Sequence, residues 1–193
     1  MYGCILADPP WTYDDTADAG KRGAAHKYSL LTDAALQSMP IAQLAAPDCV
    51  LFLWATFPKI HEALALIPAW GFVYKTVAFV WVKTSGGATG VAWGMGRWTR
   101  SNAELCILAT RGRPKRADAG VHQIIFAPPA KHSAKPHETY NRIERLLPPC
   151  PRLELFARNE RSGWDAWGNE VPFTFTPAFE LLGAAWQPEE ARI

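Results

Sequence analysis

The stretch ADPPWTY (residues 7–13) decides the fold. It follows YGCIL (2–6), an apolar run of the length and composition of a short buried strand. Two prolines end that strand, because proline donates no hydrogen bond to a sheet ladder and fixes φ. Asp8 therefore sits at or just past the strand's carboxyl end. In open α/β sheets that edge is where ligands bind.

Further runs repeat the pattern outward from this point. CVLFLWAT (49–56) is continuously apolar, as in a strand covered on both faces. FVYKTVAFVWVKT (72–84), ELCILAT (104–110), QIIFAP (123–128) and RLELFAR (152–158) read as further strands. PKIHEALALI (58–67) is expected to be helical, with Ile60, Leu64 and Ile67 on one face and Pro58 in the first turn. KPHETYNRIERLL (135–147) is a second helix, with Pro136 near its first position and Tyr140, Ile143 and Leu147 on one face. TDAALQSM (32–39) gives an earlier helix with Thr32 as N-cap. The alternation predicts an α/β domain with a largely parallel sheet and an antiparallel strand in its second half. One domain over residues 1–172 and a tail over 173–193 are expected. Three long loops, 12–31, 85–102 and 111–122, are of the kind that carries function.

Composition sets outer bounds. The chain has 193 residues, 49% hydrophobic and 20% charged, an ordinary globular balance for one domain. A net charge of +2 does not announce a nucleic-acid binder, so local clusters must carry that case. The cysteines, Cys4, Cys49, Cys106 and Cys150, form no CxxC pair, and three lie inside apolar runs. Buried reduced thiols and no metal site are expected. No secretory signal or membrane-spanning run is visible, which predicts a cytoplasmic protein without membrane contact.

Residues 8–11 suit a planar ring that carries an exocyclic amine. The Asp8 carboxylate and the proline carbonyls are acceptors, and Trp11 offers a flat apolar face. Such an amine is a poor nucleophile, because its lone pair is delocalised into the ring. Two acceptors holding its hydrogens would localise that pair and aim it at an electrophile, which is catalysis by positioning. The plain alternative is a strand, a Pro-rich turn and Trp11 in the core.

Here the sequence resembles the DPPW-type N(6)-adenine methyltransferases, a group that includes the eukaryotic mRNA adenosine methyltransferase and bacterial and phage relatives. Besides ADPPW, the resemblance rests on VLFLWAT (50–56), VWVKT (80–84), HSAKPHETYNRIERL (132–146), LELFAR (153–158) and GWDAWGNE (163–170), in the same order. It implies a Rossmann-like sheet that uses S-adenosyl-L-methionine, with motif order permuted so that the catalytic strand comes first and the cofactor strand, LELFAR, comes late. It implies that Asp8, Pro9, Pro10 and Trp11 hold the adenine amine, with Asp8 also near the cofactor. Lys135 would pair with the cofactor carboxylate, Phe156 and Arg158 would end the cofactor strand, and Asn169 with Glu170 would bind the ribose. Tyr28 would belong to a loop over the active site. The chain departs from the eukaryotic relatives in carrying Glu170 where they have Gln, and in having six residues ahead of Ala7, so the cofactor's adenine is expected to be held in another way.

Basic residues cluster in loops. Lys21 and Arg22 follow DPPW, Arg97 and Arg100 bracket Trp98, and RGRPKR supplies Arg111, Arg113, Lys115 and Arg116. Around the carboxyl edge they would form a positive rim for phosphates, with Trp98 stacking on a base. The length leaves no room for a separate target-recognition domain, so weak or short sequence specificity is expected. DNA is expected over RNA by analogy with small stand-alone relatives. The rivals are an RNA enzyme and an inactive nucleic-acid-binding partner subunit, the latter opposed by the intact DPPW, Lys135 and GNE. A metal hydrolase on His132, His137 and Glu138 lacks the HExxH spacing. The aromatic tail, with Phe173, Phe175, Phe179 and Trp186, suggests a homodimer contact.

Overall fold

The computed structural model describes residues 1–13, 31–85, 90–94, 96, 98–130, 134–171 and 182. The strands are β1 Tyr2–Ala7, β2 Ala45–Ala55, β3 Val73–Lys83, β4 Ala103–Arg111, β5 Ile124–Ala127, β6 Arg152–Leu155 and β7 Asp165–Trp167. The helices are α1 Asp33–Ser38, α2 Ile41–Leu44, α3 Ile60–Ala69 and α4 His137–Leu146. The strands form a single sheet in the order β5-β3-β4-β2-β1-β6-β7. β1 runs parallel to β2 and β6, β6 to β7, and β3 to β5. β4 alone is antiparallel, between β2 and β3. The mixed sheet with one reversed strand matches the expectation from the sequence; β7, read only as part of a motif, is an addition.

Both faces of the sheet are covered, which is why its strands read as unbroken apolar runs. Ile5, Leu51, Leu53, Ile107 and Leu153 face one layer, where Leu36 of α1 and Leu66 and Ile67 of α3 pack. Leu6, Phe52, Trp54, Phe79 and Trp81 face the other, beneath Ile143 of α4. Leu182, in the tail, is fully buried in the first layer, so the chain returns to the body there. The remaining tail aromatics, Phe173, Phe175, Phe179 and Trp186, lie outside the described residues.

Local rules explain the helix ends. Thr32 caps α1, its hydroxyl accepting from the Ala35 N–H at 3.2 Å. In α4 the proline stands one step earlier than expected: Pro136 is the N-cap and His137 the first helical residue. The face of α3 differs from the sequence expectation. Ala63, Leu66 and Ile67 are buried, whereas Leu64 is 41% exposed. A 3-10 turn over Phe57–Lys59 precedes the helix. Trp70, seven residues after Ala63, then fixes the inward stripe, because its indole N–H donates to the Leu36 carbonyl at 2.8 Å.

Candidate active site

The carboxyl ends of β1, β2, β3 and β6 and the start of β4 share one edge, and the candidate site is built there. The Asp8 N–H donates to the Leu155 carbonyl at 3.4 Å, holding the residue in line with β6. The chain then turns tightly, with the Trp11 N–H donating to the Pro9 carbonyl at 2.9 Å. That leaves the second lone pair of the Pro9 oxygen for another donor. The next residues are anchored. Thr12 Oγ1 donates to the Leu31 carbonyl at 2.7 Å, and the Tyr13 hydroxyl meets Thr56 Oγ1 at 2.7 Å.

Trp11 does not present its face to the site as the sequence suggested. It is 5% exposed, and its indole N–H donates to the Trp54 carbonyl at 3.2 Å. The reason is its position: four residues beyond the end of β1 it falls over the first core layer, where burying an aromatic ring outweighs displaying it. Trp11 therefore fixes the turn that positions Asp8.

Lys135 closes the centre of the site, although 127 positions separate it from Asp8. Its Nζ lies 2.6 Å from Asp8 Oδ2 and 3.4 Å from Glu104 Oε2, and its side chain is 10% exposed. Burial opposes its charge, but Asp8 and Glu104 outweigh that and hold its pKa above the ordinary lysine value. Glu104 also receives Lys83 Nζ at 2.6 Å. Burial pushes the Glu104 carboxyl up, yet Lys135 and Lys83 pull it below its usual range. Lys135 Nζ stands 5.6 Å from the centre of the Trp54 ring. The Trp54 indole N–H is buried and has no acceptor among the described residues.

A cleft opens beside this cluster, lined by Asp8, Lys135, Tyr140, Glu154, Phe156 and Arg158 among others. Glu154 lies on β6 opposite Leu6, so it shares the sheet face of Asp8. Its carboxyl accepts the Tyr140 hydroxyl at 2.8 Å. Burial, with Asp8 adding to it, pushes the Glu154 pKa up to about 7. Phe156 follows with φ of 62°, a left-handed conformation uncommon for a side-chain-bearing residue. That turn sends the chain from β6 into the cleft wall. Arg158 is paired with Glu170 at 3.1 Å, and Asn169 beside it is exposed. The sequence reading named Asp8, Lys135, Phe156, Arg158, Asn169 and Glu170; it missed Glu104, Lys83, Glu154 and Trp54.

The donor set fits the methionine end of S-adenosylmethionine. Lys135 is a cation for a carboxylate and Glu154 a carboxyl for an ammonium. No group of three or more His, Cys, Asp or Glu that could hold a metal occurs among the described residues. All four cysteines are free, and burial raises the thiols of Cys4, Cys49 and Cys106.

The basic clusters separate. The chain leaves β3 after Lys83 and enters β4 at Ala103, both at the Asp8 edge. Trp98 is 95% exposed there and Trp93 69% exposed, with Arg100 nearby in the chain. RGRPKR does not reach that edge. Because β4 is antiparallel, Arg111 lies opposite Cys49, four residues along from the Leu53–Ile107 pair that marks the Asp8 end. At ~3.4 Å per residue this is about 14 Å away. The Arg111 guanidinium donates to the Ala42 carbonyl, and the Arg113 N–H donates to Asp48. Arg113, Lys115 and Arg116 follow at the same far edge, so this segment is corrected from active-site rim to far-edge loop. Lys21, Arg22, Tyr28 and Arg97 lie outside the described residues.

The sequence pattern of the MT-A70 family matches residues 2–170. The chain is 34% identical to the Type II methyltransferase M.MunI of Mycoplasma sp, over 89% of this chain and 78% of that protein. It is 32% identical to the human N(6)-adenine-specific methyltransferase METTL4, over 88% of this chain and 37% of that protein. It is 29% identical to the human N(6)-adenosine-methyltransferase catalytic subunit METTL3, over 88% of this chain and 28% of that protein. The chain thus spans about a third of the length of these two human relatives.

Proposed function

The chain belongs to the MT-A70 family, and on that premise we propose that it transfers a methyl group from S-adenosylmethionine to the N(6) amine of adenine in DNA. The observation that carries this reading is the Lys135–Asp8 contact of 2.6 Å at the carboxyl end of β1, beside a cleft. It joins an acceptor for the adenine amine to a cation for the cofactor carboxylate.

S-adenosylmethionine, when bound, supplies an electrophilic methyl on a sulfonium. The rest is positioning. Asp8 accepts one amine hydrogen and the Pro9 carbonyl the other, which localises the nitrogen lone pair toward the methyl group. Pro10 and Trp11 hold the turn that sets this geometry. Lys135 binds the carboxylate and Glu154 the ammonium. Arg158, Asn169 and Glu170 stand on the ribose side, and Phe156 shapes the wall between. The base enters the site from a single strand or by flipping from a duplex. Trp98, with Trp93 and Arg100, offers flanking bases and phosphates a surface at the same edge.

DNA is favoured as acceptor because small stand-alone members of the DPPW-type group act mostly on DNA. The Type II methyltransferase M.MunI, of which this chain covers 78%, supports the same choice. RNA is the alternative acceptor, supported by the similarity to the N(6)-adenosine-methyltransferase. No helix among the described residues is long and apolar enough to cross a membrane.

Calorimetry with S-adenosylhomocysteine separates the two key roles. Lys135→Ala should lose most of the affinity. Asp8→Ala should bind the ligand yet transfer no methyl group. Unchanged affinity in the first, or near wild-type turnover in the second, would refute the assignment.

A further inference from the structure

Lys135 holds two carboxylates at once, Asp8 at 2.6 Å and Glu104 at 3.4 Å. Glu104 in turn holds Lys83 at 2.6 Å. Four charges of alternating sign thus cross the edge from β3 through β4 to β1. In this arrangement Asp8 and Lys135 neutralise each other. An oxygen already accepting from an ammonium is a poorer acceptor for an amine hydrogen, so this contact weakens Asp8 Oδ2 for that role.

Filling the cofactor's carboxylate position changes the balance. An ammonium has three hydrogens and can serve several acceptors, but its attraction to each falls as they share it. A third carboxylate at Lys135 therefore loosens its hold on Asp8. Glu104, itself fixed by Lys83, keeps the ammonium in the site while this happens. We propose that Lys135 is a partner-exchanging cation, held by Glu104, so that cofactor occupancy frees Asp8 for the adenine amine. The inference rests on the proposed function and concerns how its two binding events are coupled. Glu104 and Lys83 are positioning residues in it, acting through Lys135.

Linkage makes the coupling reciprocal. The cofactor tightens the adenine strand by the same factor as the strand tightens the cofactor, commonly about 5–150-fold for coupled sites. The test uses the wild-type chain and a short single-stranded oligonucleotide with one adenine. Its affinity is measured with and without saturating S-adenosylhomocysteine, which has the carboxylate but no transferable methyl. Tightening of about fivefold or more is expected. Two controls should show none: the same oligonucleotide with purine, which lacks the amine, in place of adenine, and the decarboxylated form of the thioether ligand.

Glu104→Gln should reduce the cofactor-induced tightening of the oligonucleotide to less than about fivefold and lower turnover at saturating cofactor, while S-adenosylhomocysteine affinity is retained. Glu104→Asp should recover part of the turnover. Equal oligonucleotide affinity in both states, or equal tightening in either control, overturns the proposal. Loss of turnover and ligand affinity together in Glu104→Gln, unrescued by Asp, makes Glu104 a packing residue and overturns its role. Asp8-dependent methyl transfer without coupling defeats only this inference; no S-adenosylhomocysteine binding and no transfer defeat the proposed function with it.

Discussion

Replacing Glu154 by Gln should remove a pH-dependent weakness from the fold. In the native protein the Glu154 carboxyl titrates at about 7, against 4.5 for an ordinary glutamate, because burial disfavours its charged form. The native state therefore holds a proton that the unfolded chain has released. Stability linked to this proton is full below pH 4.5 and declines as pH rises through about 7. A displacement of that size corresponds to about 3 kcal/mol between the two limits. Gln keeps an oxygen for the Tyr140 hydroxyl but cannot ionise. Urea unfolding of both proteins from pH 5 to pH 8 gives the difference directly, and other titrating groups cancel in the comparison. The variant should gain on the wild type as pH rises, by about 3 kcal/mol at most. A difference that stays flat would refute the buried-carboxyl account. The same carboxyl should lose its proton when the cofactor's ammonium arrives. Calorimetry at pH 6 in buffers of different ionisation enthalpy should then show proton release on S-adenosylhomocysteine binding, and Glu154→Gln should show none.

Other outcomes are equally specific. Saturation with S-adenosylhomocysteine at a hundred times its Kd should stabilise the wild type by about 2.7 kcal/mol, and Lys135→Ala by far less, read by thermal unfolding. Trp98→Ala should weaken oligonucleotide binding by about 1–3 kcal/mol if the ring stacks on a base, with cofactor affinity unchanged by calorimetry. Arg113→Ala combined with Lys115→Ala should leave oligonucleotide affinity nearly unchanged, because that loop stands at the far edge of the sheet; a large loss in a fluorescence titration would put nucleic acid across both edges.

What the sequence revealed depended on the range of the interaction involved. Strand β1 and the proline stop are local, and so are the Thr32 cap and the apolar runs that need cover on both faces. These were legible. Asp8 and Lys135 were legible through short motifs, although their 2.6 Å contact is a product of the whole sheet. Glu104 and Lys83 were not. Each is one charge at the end of an apolar run, which reads as the solvated end of a strand until β3 and β4 are known to pair. The antiparallel pairing of Trp81 with Glu104 supplies that knowledge. Glu154 was hidden in the alternation of LELFAR, where an outward polar residue is the ordinary reading; only α4, with Tyr140, turns it into a half-buried one. The far-edge place of RGRPKR follows from the reversal of β4, which the sequence foresaw as a strand somewhere in the second half but did not assign. Trp11 and the face of α3 were settled by aromatic rings seeking cover, a tertiary choice that overrides local periodicity.

The central claim is tested most directly by methyl transfer from labelled S-adenosylmethionine to matched DNA and RNA oligonucleotides, single- and double-stranded, with Asp8→Ala alongside. N(6)-methyladenine in DNA that depends on Asp8 is the expected product. Label only in RNA would contradict the choice of acceptor, and equal transfer by the Asp8→Ala variant would contradict the mechanism itself.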